Sequence, residues 1–230
     1  MRGSKRKVNE SSVNSSLDSR PSETTNSVPE ESASVEKRRR IGGTTEGEPV
    51  EKTQATHYNE TSTLQVKEVI GDLFDAPDHA VLVHACNCQG SWGAGIAATF
   101  KKKYPEAFKV YKNHCEASSV DELRGTALLI RPQDKKDQPQ HFVGCLFTSG
   151  GRGRTKDNAN DILGRTQPAM QDLLQQIGRA SVDLDIREIR MCQINSGLFK
   201  VPWVKTKAAL EAIEIVESSW PSIVTVYSRD

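Results

Sequence analysis

A three-layer α/β/α fold around a central mixed sheet is what the sequence predicts for residues 63–230, on three observations. After one leading strand, short apolar runs alternate with segments of helical spacing. Val81, Leu82 and Val83 form an aliphatic run unbroken by charge, as in a strand buried on both faces. Two strands end in turns of polar and small residues that lead into helices.

The folded part is expected to begin near Thr63, where Leu64, Val66 and Val69 alternate as a half-buried strand. That strand ends in Gly71, Asp72, Leu73 and Phe74. Asp72 either caps the next turn or accepts a hydrogen bond from a ligand's exocyclic amine. In the stretch VLVHACNCQGSWGAGIAATF, Val81–Phe100, a buried strand is followed by His84, Asn87 and Gln89 at its carboxyl end. Gly90, Gly93 and Gly95 then remove Cβ atoms where the chain turns sharply, so main-chain N–H groups can approach an anion. Ile96, Ala97, Phe100 and Tyr104 have helical spacing, and a helix starting near Gly95 aims its positive end at the turn. Glycines that serve connection geometry alone account for the cluster equally well, because the dinucleotide spacing GxGxxG is absent.

Pro105 starts a second helix, with Ala107, Phe108, Tyr111 and Cys115 as its apolar stripe. Thr126–Ile130 is a strand stopped by Pro132, and a polar loop follows to Gln140. His141–Thr148 is a further strand, leading into the glycine-rich basic loop Ser149–Asn158. With Arg152, Arg154 and Lys156, that loop either closes over a phosphate or is simply solvated. Asp161–Ile177 has helical pattern interrupted by Gly164 and Pro168, so the helix is expected to begin near Thr166 with Pro168 in its first turn. The rest reads as a strand Ile189–Ile194, a second turn from Asn195 to Pro202, a helix from Trp203 to about Val216, and a last strand Ile223–Tyr227.

Residues 1–62 carry almost no large apolar side chains and are expected to form a disordered polar tail. Its basic clusters, Lys5–Lys7 and Lys37–Arg40, read either as nuclear-import signals or as solvated charge. About 170 residues remain, enough for one well-cored domain. Lys plus Arg total 31 against 30 Asp plus Glu, so no global field points to nucleic acid or an anionic membrane. No apolar run approaches a membrane span, and the amino terminus lacks the apolar core of a signal peptide. The expected location is cytoplasmic and/or nuclear. Five cysteines, an odd number set mostly in apolar runs, read as buried small hydrophobes. Cys86 and Cys88 form CxC without a second pair, so no metal site and no cofactor are expected.

Two strand-to-helix turns with free amides at one sheet edge can cradle linked phosphates from opposite sides. A nucleotide diphosphate then extends toward Asp72 at one end and toward His84 and Asn87 at the other. Phe199 either stacks on a base or ribose or packs locally. His84 interrupts the apolar strand at the expected binding edge. It serves either in catalysis near neutral pH or as a hydrogen-bonded structural group.

With those residues in view, residues 63–230 resemble the macrodomain family, and more closely its fungal ADP-ribose 1″-phosphate phosphatase branch. The matching stretches are HACNCQGSWGAGIA at His84–Ala97, CLFTS at Cys145–Ser149 and QINSGLFKVPW at Gln193–Trp203. The resemblance implies a phosphatase that converts ADP-ribose 1″-phosphate, a by-product of tRNA splicing, to ADP-ribose and phosphate without a metal, in a monomer. It implies that Gly71, Asp72 and Leu73 hold the adenine end. Gln89, Gly90, Ser91, Trp92, Gly93, Ala94, Gly95 and Ile96, with Asn195, Ser196, Gly197, Leu198, Phe199, Lys200 and Val201, would hold the diphosphate and distal ribose. His84 falls on the branch's proposed catalytic histidine, and Asn87 on the asparagine beside the distal ribose. The alternatives are an ADP-ribose-binding module and an ADP-ribosyl-protein hydrolase. The catalytic lysine and aspartate of the hydrolase branch fall on Ser149 and Phe199, which cannot form a lysyl adduct or move a proton, unless Lys200 or Asp157 substitutes.

Overall fold

The computed structural model describes residues 62–133 and 139–229, so residues 1–61, with both basic clusters, residues 134–138 and residue 230 lie outside it. The strands are β1 (Gln65–Ile70), β2 (Val81–Asn87), β3 (Ala127–Ile130), β4 (Phe142–Ser149), β5 (Ile189–Cys192) and β6 (Ile223–Ser228). The helices are α1 (Gly95–Lys103), α2 (Pro105–Ala117), α3 (Val120–Leu123), α4 (Ala159–Ala180) and α5 (Trp203–Glu211). The six strands form one sheet in the order β1-β6-β5-β2-β4-β3. All neighbours are parallel except β3, which runs antiparallel to β4. The sheet is therefore mixed, as expected.

Each face of the sheet has its own apolar layer. Val81 and Val83 of β2 point to the face covered by α4, where Met170, Leu173, Leu174 and Ile177 meet Leu210 of α5. Leu82 and Cys86 point to the other, where Phe100 of α1 and Tyr111 of α2 join Phe147. Strand residues alternate between faces, so a strand sandwiched between helix layers must be apolar at every position. β4 is buried throughout, and β2 at all but Ala85.

Four local readings differ. The periodicity at Leu64, Val66 and Val69 predicted one half-buried face, yet Leu64 is buried and Val69 is 42% exposed. β1 is an edge strand, and α5 covers only the face of Glu68, which accepts hydrogen bonds from Trp203 Nε1 and from Lys207. α4 does not wait for Thr166: Asn158 caps it by accepting the Asp161 N–H at 3.0 Å, and the helix runs through Pro168. Gly164 and Pro168 are both exposed, so the carbonyl that proline leaves unpaired faces water. α5 ends at Glu211, short of Val216, because the chain beyond pairs with the start of the domain. Leu64 N–H donates to Ile213 O at 2.9 Å, and Ile215 N–H to Ser62 O at 2.8 Å. β5 stops at Cys192, and the short α3, closed by a Ser119–Glu122 capping box, was not anticipated. Among the described residues no helix is long and apolar enough to cross a membrane.

Candidate functional site

Five parallel strands end along one edge, at Ile70, Ser228, Cys192, Asn87 and Ser149 in spatial order. Two adjoining cavities follow that edge. One of about 330 Å³ is lined by Gly71, Asp72, Leu73 and Phe74. The other, of about 1150 Å³, runs from Tyr227 and Arg229 past Asn87 to Arg152 and Lys156. They share Gly95, Ile96, Cys192, Tyr227 and Arg229.

At the first end, Asp72 caps its own turn by accepting the Phe74 N–H at 2.9 Å, and its other oxygen pairs with Arg229 at 2.8 Å. The Phe74 amide and then Arg229 hold the carboxyl below its ordinary range, although burial opposes them. Capping is thus realised, and the carboxylate also stands on the cavity wall. Leu73 is itself a core residue, 4% exposed.

The turn after β2 is organised by Asn87. Its Oδ1 accepts the Gln89 N–H at 2.9 Å and its Nδ2 donates to Ser91 O at 2.6 Å. Beneath it the Tyr111 hydroxyl donates to Asn87 O at 2.6 Å and accepts from Ser91 N–H at 3.2 Å. Burial pushes that phenol strongly upward, so it remains a donor. α1 begins at Gly95 with no side-chain cap and no acidic residue in its first turn. Its leading N–H groups, at Gly95, Ile96 and Ala97, belong to residues that line the large cavity. A bare amino end of this kind attracts negative charge. Gly95 adopts φ 58°, a conformation costly to any residue with a Cβ.

The second turn is pinned from below. Asn195 sits in the left-handed region, φ 64°, and is 4% exposed. Its Oδ1 accepts from Thr148 Oγ1 and its Nδ2 donates to Thr166 Oγ1, both at 2.9 Å. Its amide is therefore spent on tying β4 and α4 to the turn. Ser196, Gly197, Leu198, Phe199 and Lys200 form the cavity wall, and a Cβ placed on Gly95 would lie 3.4 Å from Leu198 Cδ1, so the two turns face each other at contact.

Of the residues predicted for the site, Gly93, Ala94, Ser91, Asn87 and Asn195 also line the large cavity. His84, Gln89, Gly90, Trp92 and Val201 do not line either cavity. Trp92 is 1% exposed and lies beneath the turn, stacked on Tyr111 with centroids 4.9 Å apart. Val201 is 1% exposed, donates its N–H to Asn195 O at 3.0 Å and so closes the second turn from inside.

His84 is not at the end of its strand. β2 continues to Asn87, with its register shifting between Cys86 and Asn87, and His84 stands three positions before that end, packed under α1. It is 0% exposed, stacked on Phe100 and edge-on to Trp92 at 4.8 Å. Cys86 Sγ lies 3.5 Å from its Nε2. His84, Cys86 and Cys145 make the one cluster of potential metal ligands found among the described residues, and it is in the core rather than on the cavities.

Sequence reasoning left the basic loop open between closing over a phosphate and being solvated, and the structure places Arg152, Arg154 and Lys156 on the large cavity with Lys200 and Arg229. Among the described residues no carboxylate and no histidine lines that cavity, in a chain of net charge +1. Arg229 pairs with Asp72, whereas Arg152, Arg154, Lys156 and Lys200 have no ion-pair partner among the described residues. Burial pushes the one cavity-lining thiol, Cys192, up to about 12, which keeps it protonated and a poor nucleophile. Ser149 is buried, with its hydroxyl donating to Gly151 O at 2.9 Å, and Asp157 is held by the Gly150 N–H at 2.7 Å and by Arg165. Neither is on the cavity. The length and positive charge of this cavity suit an extended polyanion. Tyr227, Arg229 and Phe74 were also missed, and for them the only signal lies in tertiary position.

A comparison with protein families matches residues 83–210 to the Macro domain. A protein of Chaetomium globosum named ADP-ribose 1″-phosphate phosphatase is 44% identical over 164 residues, covering 69% of this chain and 89% of its own length. A protein of the same name from Neosartorya fischeri is 38% identical over 178 residues, covering 64% and 89%. Among solved structures, the macrodomain of Mycobacterium tuberculosis DarG superposes with a TM-score of 0.55 at 22% identity, covering 73% of this chain and 99% of that one. The fold, the matched segment and these relatives together place the chain in the Macro domain family.

Proposed function

We propose that this protein is an ADP-ribose 1″-phosphate phosphatase that releases phosphate and leaves ADP-ribose. The observation that carries the reading is the wall of the large cavity, with five cations and no carboxylate among its described lining residues, in a near-neutral chain whose close relatives bear that activity's name. The adenine end lies toward Asp72, the diphosphate between the amino end of α1 and Ser196–Lys200, and the distal ribose beside Asn87. The reaction breaks the bond between phosphorus and the anomeric oxygen. Water adds its oxygen to phosphorus, one of its protons reaches the departing anomeric hydroxyl, and the other stays with phosphate. Catalysis is then mainly positioning and charge neutralisation by preorganised amides and cations. Asn87 places the ribose or the water with the Nδ2 hydrogen not used on Ser91. His84 acts from inside the core by fixing the turn, a positioning role. Monomeric behaviour and a cytoplasmic and/or nuclear location complete the reading, and the five free thiols suit the reducing environment of that location.

A second reading, ADP-ribose binding without hydrolysis, is favoured by the absence of a histidine or carboxylate among the described residues of the large cavity. Phosphate release from ADP-ribose 1″-phosphate by the full chain, with EDTA present, decides between them. Release establishes the phosphatase. ADP-ribose binding in calorimetry without release establishes the binding module.

A further inference from the structure

The loop after β4 has a rigid base and a charged tip. Gly150 N–H donates to Asp157 Oδ2 at 2.7 Å, Asp157 N–H donates to Ser149 Oγ at 3.2 Å, and Thr155 N–H to Arg152 O at 3.0 Å. Arg165 and Arg124 Nη2, the latter at 3.6 Å, complete the clamp on Asp157. The chain is so close-packed here that a Cβ on Gly151 would fall 2.0 Å from Thr155 O. From this base Arg152, Arg154 and Lys156 reach the large cavity without a carboxylate partner among the described residues.

Sheet order gives the loop its place. Strands β1, β6, β5, β2 and β4 end side by side, so Asp72 after β1 and the loop after β4 are separated by four strand spacings. At about 4.8 Å each, that is roughly 19 Å, comparable to an extended nucleoside diphosphate sugar. The amino end of α1 and Lys200 lie between the two. A ligand with its base at Asp72 therefore brings its far end to Arg152, Arg154 and Lys156. A phosphate monoester there carries about 1.5 to 2 negative charges that an unphosphorylated sugar lacks.

We propose that Arg152, Arg154 and Lys156 form the subsite for the terminal phosphate monoester and discriminate a phosphorylated distal ribose from a free one. This rests on the reading that the cavity takes an ADP-ribose derivative with its base at Asp72. The diphosphate is served by different groups, so the loop acts on the difference between substrate and product.

The test compares the full chain with Arg154→Ala, Lys156→Ala and the double variant. The readout is the ratio of affinities for ADP-ribose 1″-phosphate and ADP-ribose. Where phosphate is released, it is KM for the first against the inhibition constant of the second; where none is released, it is the ratio of the two calorimetric Kd values. The subsite thus remains testable if the phosphatase reading fails. The expected result is about a tenfold loss of discrimination per cation removed, with ADP-ribose affinity falling much less than that for the phosphorylated ligand and Tm unchanged. An equal fall in both affinities, or an unchanged ratio, overturns the proposal.

Discussion

The imidazole of His84 lies flat against the ring of Phe100, with centroids 4.1 Å apart and planes 16° from parallel. That contact joins the central strand to α1, whose amino end faces the cavity. Removing the ring by His84→Ala is expected to cost about 2 to 4 kcal/mol of stability through the cavity left behind. His84→Phe fills much of the same volume with a ring able to stack. It is expected to keep phosphate release within a few-fold of wild type, as volume-conserving core exchanges do. Thermal melting and kcat are measured on both. A His84→Phe protein that melts normally but has lost a hundredfold or more in kcat, the usual contribution of a general acid or base, makes His84 a chemical participant.

Asn195→Ala leaves Thr148 and Thr166 without their shared amide and forces a left-handed backbone on a residue with no side-chain compensation. The combined loss is about 2 to 4 kcal/mol, and the Ser196–Lys200 wall loosens with it. Denaturant unfolding and ADP-ribose calorimetry should both register the change. Normal affinity in a destabilised variant means that the wall is held by other contacts.

Acid should release the loop after β4. Burial raises the pKa of Asp157, but the Gly150 amide and the Arg165 and Arg124 guanidiniums outweigh it, and the net shift is downward from 3.8. A carboxyl with a depressed folded pKa contributes stability that is present above the unfolded value and is lost as pH falls through the folded one. Tm is therefore expected to hold from neutral pH down to about 5 and then fall below about 4, where carboxylates take up protons. Asp157→Asn should lower Tm at neutral pH and shallow the acid slope. An identical slope in the variant assigns the acid sensitivity to other carboxylates.

In heavy-oxygen water, the label should enter the released phosphate. The alternative route, fission between the anomeric carbon and oxygen, passes through a sugar cation, which a wall of cations without a carboxylate disfavours. Mass analysis of the phosphate after a single turnover is the measurement. Unlabelled phosphate means that carbon–oxygen fission occurs.

Much of this architecture is legible in the order of residues. The aliphatic run Val81–Val83 marks a strand enclosed on both faces, and Gly71, Gly93–Gly95 and Asn195–Lys200 mark the turns, because backbone geometry there restricts residue choice directly. His84 misleads for a physical reason. A polar residue ending an apolar run looks like a strand end, whereas the strand runs on to Asn87 and the imidazole is satisfied among rings contributed by α1 and the turn. Pro168 looks like a helix start, but its exposed face lets water take the freed carbonyl.

Local chemistry alone thus determined the order of strands and helices, the mixed α/β class and the two anion-friendly turns, since period, glycine placement and capping act over a few residues. Tertiary pairing decided the rest. Strand order set which turns share an edge, the run of β2 on to Asn87 left His84 inside the core under Phe100, and the Asp157 clamp brought Arg152, Arg154 and Lys156 to the cavity. Those relations join residues far apart in the chain, and only folding places them together.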